Sequence, residues 1–142
     1  MAEYPDSPSL EWNRDSDNFE VLRRADILIS DFSGVIFDFA LVYDKPVIYA
    51  SADFDYGPYD AWWLERPLWT FSALPRIGRE LTKENAADLR TMIDECLTDS
   101  RFAEGRREVR GETWAYPGEG AVRAADFIEN KLAEASNTRG EK

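Results

Sequence analysis

Ala25-Asp26-Ile27-Leu28-Ile29-Ser30-Asp31-Phe32-Ser33-Gly34-Val35-Ile36-Phe37-Asp38-Phe39-Ala40-Leu41-Val42-Tyr43-Asp44-Lys45-Pro46-Val47-Ile48-Tyr49-Ala50 is the stretch on which the fold turns. Its first six residues are almost continuously apolar, the pattern of a short strand buried in a parallel sheet. Asp31-Phe32-Ser33-Gly34 is turn chemistry. Residues 34–43 then read as a helix, apolar nearly all round through Val35, Ile36, Phe37, Phe39, Leu41 and Val42, and so buried. Asp44-Lys45-Pro46 breaks it, and residues 46–50 form a second short strand. Strand, helix, strand over so short a span is a βαβ unit, for which a right-handed crossover is expected.

The turn that joins the first strand to the helix is an anion site in the making. The first N–H groups of a helix lack internal partners, and the helix dipole adds partial positive charge at the same end. Phosphate is received there without any Lys or Arg. Ser33 offers a hydroxyl, and Gly34 has no side chain to block close approach. In open α/β sheets ligands bind outside the carboxyl ends of the strands, where this turn lies. Asp38, one helical turn beyond Gly34, is placed to accept ribose hydroxyls. The plainer alternatives stay open here. Ser33 also suits an N-cap, and Asp38 a polar break bonded to Tyr43 or a neighbouring N–H. Asp31 serves equally to orient the loop, to touch the ligand or to satisfy turn amides.

Outward from this unit the signals weaken. Residues 1–17 have no period and read as an arm. Asp17 with Glu20 suggests a capping box opening a short helix over 18–24. Residues 51–79 read as an irregular, aromatic connection holding Trp62, Trp63 and Trp69. Asp53 and Tyr56 within it are candidates for a wall of the ligand site, against a simpler role as aromatic cover on a small core. Asp55 belongs to the same weighing, while Arg66 is a candidate phosphate contact set against the plainer role of a surface ion pair. Thr82 is a candidate cap for a helix over 83–97 with Ala86, Leu89, Ile93 and Cys96 on one face. Asp99 or Ser100 starts another, reaching about residue 110 and weakened by Gly105. The mixed charges Arg101, Arg106, Arg107 and Arg110 with Glu104, Glu108 and Glu112 suit a solvated face. A last helix spans 119–133 with Ala121, Ala125, Ile128 and Leu132 as its apolar stripe, followed by a disordered tail over 135–142. The domain proper is thus expected over 18–134. Two strands do not make a stable parallel sheet alone, so further strands are expected upstream, with self-association as another way to cover the edges.

Composition narrows the function. A net charge of −11 over 142 residues argues against a nucleic-acid surface and against docking on an anionic membrane face through this segment. The single Cys permits no internal disulfide and fits a reducing compartment. No secretory leader is recognisable, and the most apolar run, 34–42, is too short to span a bilayer. With no His in the chain, the commonest general base is missing, and neither a Ser-His pair nor a His-ligated metal site can form. No metal and no cofactor is expected. Val35-Ile36-Phe37-Asp38-Phe39 looks like the start of a haloacid-dehalogenase motif, but Ala40 and Leu41 stand where the second Asp and the following chemistry belong, so that reading is set aside.

The run from Asn18 to Ala40, with Asp44-Lys45-Pro46-Val47-Ile48-Tyr49 after it, resembles the CDP-glycerol glycerophosphotransferase family, whose members carry L-x-x-A-D-x-L-I-S-D-Y/F-S-S/G-x-x-F-D-F/Y followed by D-K-P-V-I-Y/F. Residues 118–128 are similar to the family's final helix. The resemblance implies the C-terminal half of a GT-B glycosyltransferase-like fold, a partial Rossmann-like α/β domain with a parallel sheet. It implies a CDP-glycerol or related CDP-polyol donor and glycerol-phosphate transfer to a polymer acceptor hydroxyl in teichoic-acid-like synthesis. It further implies a missing N-terminal domain and a peripheral place on the cytoplasmic face of the plasma membrane. Asp31, Ser33 and Gly34 fall on the family's diphosphate loop and Asp38 on its acidic ribose position. Gly34 stands where many members have a second Ser. The family's catalytic His residues lie upstream and have no counterpart here, so the catalytic groups are unknown and the isolated chain is expected to be inactive. Two other functions compete: a non-catalytic nucleotide-binding or scaffold module, and a different GT-B nucleotide-sugar transferase or epimerase.

Overall fold

The computed structural model describes residues 4–14, 16–31, 33–50, 63 and 68–140, the last five as backbone only. Helix α1 (Phe19–Arg24) starts where Asp17 Oδ1 accepts the Phe19 amide at 2.9 Å. The expected capping box does not form: Asp17 takes the Phe19 amide rather than that of Glu20, the N-cap is Asn18, and the Glu20 carboxylate turns to Arg23, at 2.8 Å. Strand β1 (Leu28–Ser30) follows, then α2 (Val35–Phe37), which runs directly into a wider π-helical turn (Asp38–Val42). Strand β2 (Val47–Tyr49) completes the predicted βαβ unit.

The Asp44-Lys45-Pro46 break holds this unit together. Lys45 Nζ donates to the carbonyls of Arg23 (2.7 Å) and Ala25 (2.5 Å), filling acceptors that the end of α1 leaves open. Asp44 adopts φ 54°, a left-handed conformation that Asp tolerates better than most side chains. Its Oδ1 accepts Arg106 Nε at 2.8 Å. Arg106 is only 7% exposed, so one of the arginines expected on a solvated face is inside. A guanidinium is tolerated there because a carboxylate meets it.

A third strand corrects the reading of residues 51–79 as irregular throughout. Helix α3 (Trp69–Ile77) lies within that stretch, and strand β3 (Gly78–Glu80) begins in it and runs one residue past its end. Pro75 inside α3 hides the helix from a sequence reading, and Gly-Arg-Glu has little strand preference. Residues 51–62 and 64–67 lie outside the described residues. The sheet order is β1-β2-β3, all parallel, with Ile29, Ile48 and Arg79 in register.

Central strand β2 is buried on both faces, as a helix-covered parallel strand should be. On one face Val47 and Tyr49 pack with Ile36, Phe39, Leu41, Leu74, Ile77 and Val109. On the other, Ile48 meets Met92, Cys96 and Phe102. Those last residues belong to α4 (Leu89–Thr98), entered through a 3-10 turn (Ala86–Asp88), and α5 (Ser100–Thr113). Ala86, expected on the apolar face, is exposed in that turn. Thr82 does not cap α4; its own amide is taken by Asn85 Oδ1 at 2.8 Å. Asp99 caps α5, its Oδ1 accepting the Arg101 amide at 2.9 Å.

The chain divides into two compact units, 1–109 and 110–142. In the second, α6 (Gly120–Gly140) is longer than the helix expected over 119–133 and takes in most of the residues assigned to a tail. Its predicted stripe Ala121, Ala125, Ile128 and Leu132 is exposed. Among the described residues no helix is long and apolar enough to cross a membrane.

Candidate functional site

The three strands are parallel, so Ser30, Tyr49 and Glu80 end on one edge of the sheet. Pairing extends one residue further, with the Ala50 amide donating to Ser30 O (2.9 Å) and the Leu81 amide to Tyr49 O (2.8 Å). The turn from β1 into α2 leaves from this edge. The Ser33 amide donates to Asp31 O at 2.9 Å, which tightens the turn. Asp31 therefore shapes the loop through its carbonyl, and its side chain is exposed.

Gly34 is the N-cap of α2, with φ −56° and no side-chain cap. The Ile36 amide reaches Ser33 O (3.1 Å) and the Phe37 amide Gly34 O (3.0 Å). Among the described residues nothing accepts the Gly34 or Val35 amide. A Cβ built on Gly34 would find no heavy atom within 4 Å. Among the described residues nothing plugs this helix start, and the Gly34 and Val35 amides stand at the positive end of its dipole. The N-cap alternative for Ser33 is not realised, since no side chain caps α2. The bonded break envisaged for Asp38 is not formed either. Tyr43 Oη donates to Phe19 O (3.2 Å) instead, and Asp38 is exposed with no hydrogen-bond partner for its carboxylate among the described residues. The Asp38 amide donates back to Gly34 O at 3.5 Å, so the carboxylate and the open amides share one helical turn.

The sequence reading missed the β3 end of this edge. Asn85 Nδ2 donates to Glu80 O (2.9 Å) while its Oδ1 holds the Thr82 amide, a staple that fixes the chain leaving β3. An Asn following Thr-Lys-Glu was the available signal, legible only once β3 is recognised. Asp53, Tyr56, Asp55, Arg66 and Trp62 lie outside the described residues. Trp63 is exposed in a turn, and Trp69 opens α3 with its ring 5.4 Å from that of Phe37. Cys96 is buried, as expected, with burial pushing its pKa up and Val47 O 3.7 Å from its Sγ. Among the described residues no group of three or more His, Cys, Asp or Glu is arranged to hold a metal ion.

A parallel sheet with a helix start at its carboxyl edge is the arrangement by which α/β proteins receive anionic ligands. The family follows from the chain's own sequence: it belongs to the CDP-glycerol:poly(glycerophosphate) glycerophosphotransferase family, whose model matches residues 10–115. That is a family of transferases. The match contains the whole βαβ unit and all three strands; it ends short of the 118–128 segment likened above to the family's final helix. No curated protein and no solved structure matches the chain.

Proposed function

We propose that this chain is the donor-binding part of a glycerophosphotransferase that takes glycerol phosphate from CDP-glycerol, or a related CDP-polyol, and passes it to a polymer acceptor hydroxyl. The observation that carries the reading is the open start of α2 at Gly34, inside the matched region. The diphosphate docks on the Gly34 and Val35 amides, Ser33 Oγ adds a donor, and Asp38 accepts the ribose. The polymer is of the teichoic-acid type. The enzyme works at the cytoplasmic face of the membrane with a second, Rossmann-like domain of GT-B kind. The acceptor hydroxyl must lose its proton as the new phosphodiester forms. The chain has no His to take it; this reading puts the base on the other domain, which leaves the chain alone inactive. Asp53 and Tyr56 are proposed for the acceptor wall.

Thermal unfolding of the chain with and without CDP-glycerol tests this. Ligand at 100 times its Kd stabilises the folded state by about 2.7 kcal/mol, and Ser33→Ala is expected to reduce the shift. No change in the midpoint at millimolar CDP-glycerol, for this chain and for a longer protein containing it, refutes the reading.

A further inference from the structure

Along the outer strand β3 lies a cavity of about 260 Å³, lined among others by Tyr49, Gly78, Arg79, Glu80, Arg101 and Phe102. Tyr49 is only 5% exposed, yet its hydroxyl has no hydrogen-bond partner among the described residues. A buried phenol ordinarily finds one. Besides burial, the charges that act on this phenol are those of Glu80 and Arg79, both walls of the same cavity. The missing partner is therefore to be sought in the cavity. We propose that this cavity holds one glycerol phosphate unit of the acceptor polymer, with Arg79, Arg101 and the Tyr49 hydroxyl on the phosphate and Glu80 accepting a glycerol hydroxyl. The identity of this ligand rests on the transferase reading above, since poly(glycerophosphate) is the polymer in the family's name.

The wall is built for an anion. Arg79 is held by an ion pair with Glu95, and Arg101 Nε meets Asp99 Oδ2 at 2.9 Å. The Arg101 guanidinium also lies 4.6 Å from the Phe102 ring. A guanidinium carries five N–H donors, so one carboxylate fixes it and leaves further donors for a phosphate. Glu95 and Asp99 are outside the lining, where two cations stand against Glu80 alone. The cavity between α1 and α2 is the opposite case, with Asp17 and Asp38 and no Lys or Arg in its lining. In a chain of net charge −11, a phosphate is drawn to the first kind of wall and repelled by the second.

Size and position fit the acceptor rather than the donor. The volume is below the roughly 300 Å³ at which pockets for drug-sized ligands begin, enough for one small unit and not for a nucleotide. Tyr49 and Glu80 end β2 and β3 on the carboxyl edge from which the β1–α2 turn also leaves. Two strand spacings, about 10 Å, separate β1 from β3. Two substrates can thus address one edge of the sheet without sharing a residue.

Amide NMR titration of the chain with glycerol 3-phosphate, alone and with saturating CDP, tests the assignment. Perturbed amides are expected at Arg79, Glu80 and Phe102, with the same affinity in both titrations. Arg79→Gln and Arg101→Gln should each weaken binding about tenfold, and Tyr49→Phe about fivefold; circular dichroism melts check that each variant folds. Ethyl phosphate, which has no hydroxyl, should bind severalfold more weakly than glycerol 3-phosphate, and equal affinity overturns the role of Glu80. Wild-type affinity in one variant overturns the role of that residue, and in all three it overturns the site. Perturbation confined to Gly34 and Val35, and abolished by CDP, puts the phosphate on the donor turn; it overturns this inference and agrees with the donor reading. No perturbed amide at millimolar glycerol 3-phosphate, with CDP still bound, leaves the cavity to water and overturns this inference alone. Glycerol 3-phosphate bound at Arg79 with no binding of CDP strikes the donor reading and upholds this site.

Discussion

Tyr49 closes the central strand with its ring in the core and only 5% of its surface exposed. Burial pushes its phenol up to about 12; the Glu80 carboxylate adds to the effect and Arg79 opposes it. In the unfolded chain the phenol ionises near 10. Between those values the unfolded chain has lost a proton that the folded chain keeps, so stability falls as pH rises across the window. The contribution of Tyr49 is fully present below pH 10 and is lost as pH passes 12; a two-unit shift is worth about 2–3 kcal/mol. Urea unfolding of the wild type and Tyr49→Phe from pH 8 to 12 measures it. The stability difference between them should decline above pH 10 by roughly that amount. A difference that stays level over the range shows that the phenol is not held neutral by the fold.

At the scale of elements, α5 is a case where one residue type does opposite things in one helix. A Cβ on Gly105 would lie 1.9 Å from Arg76 O, at the end of α3, so α5 packs backbone to backbone there. Gly111 has nothing within 4 Å of the same position. Gly105→Ala must push the two helices apart and should cost about 1–3 kcal/mol. Gly111→Ala should gain up to about 1 kcal/mol from helix propensity alone. Urea midpoints at unchanged m-value separate the two, and equal signs would refute the close approach. The sequence reading took Gly105 only as a weak point in a helix. This shows where legibility ended. The βαβ unit was readable because its strands and helix are apolar on every side and its breaks are Gly and Pro. Strand β3 was not, since Gly78-Arg79-Glu80 becomes a strand through its pairing with β2, which no local pattern announces. Arg106 was not, since a buried guanidinium is defined by Asp44, 62 residues away. In the candidate site, the positions of Ser33 and Gly34 on the turn and of Asp38 one helical turn on were readable from the order strand, turn, helix. The Asn85 staple was not, because it is fixed to β3, a strand that no local pattern announces.

The molecule as a whole combines a unit built around a buried sheet with a helix none of whose described side chains is buried. Every described side chain from residue 111 to 135 is exposed, and the family match stops at residue 115. Helix α6 therefore depends on its own propensity and on local pairs. Arg123 meets Glu119 at 2.8 Å and Lys131 meets Glu134 at 2.7 Å, while the Arg123 guanidinium lies 3.8 Å over the Tyr116 ring. Such pairs contribute a few tenths of a kcal/mol each. An isolated helix of this length is marginal in water. By contrast α4, with Met92 and Cys96 in the core, opens only with the sheet it covers. Amide exchange followed residue by residue should then show α6 exchanging at least on the order of a hundredfold faster than α4, since local opening and global unfolding differ by several kcal/mol. Comparable protection in the two helices would mean that Ile128 and Leu132 are covered in solution, and the view of α6 as a self-supporting helix would have to be abandoned.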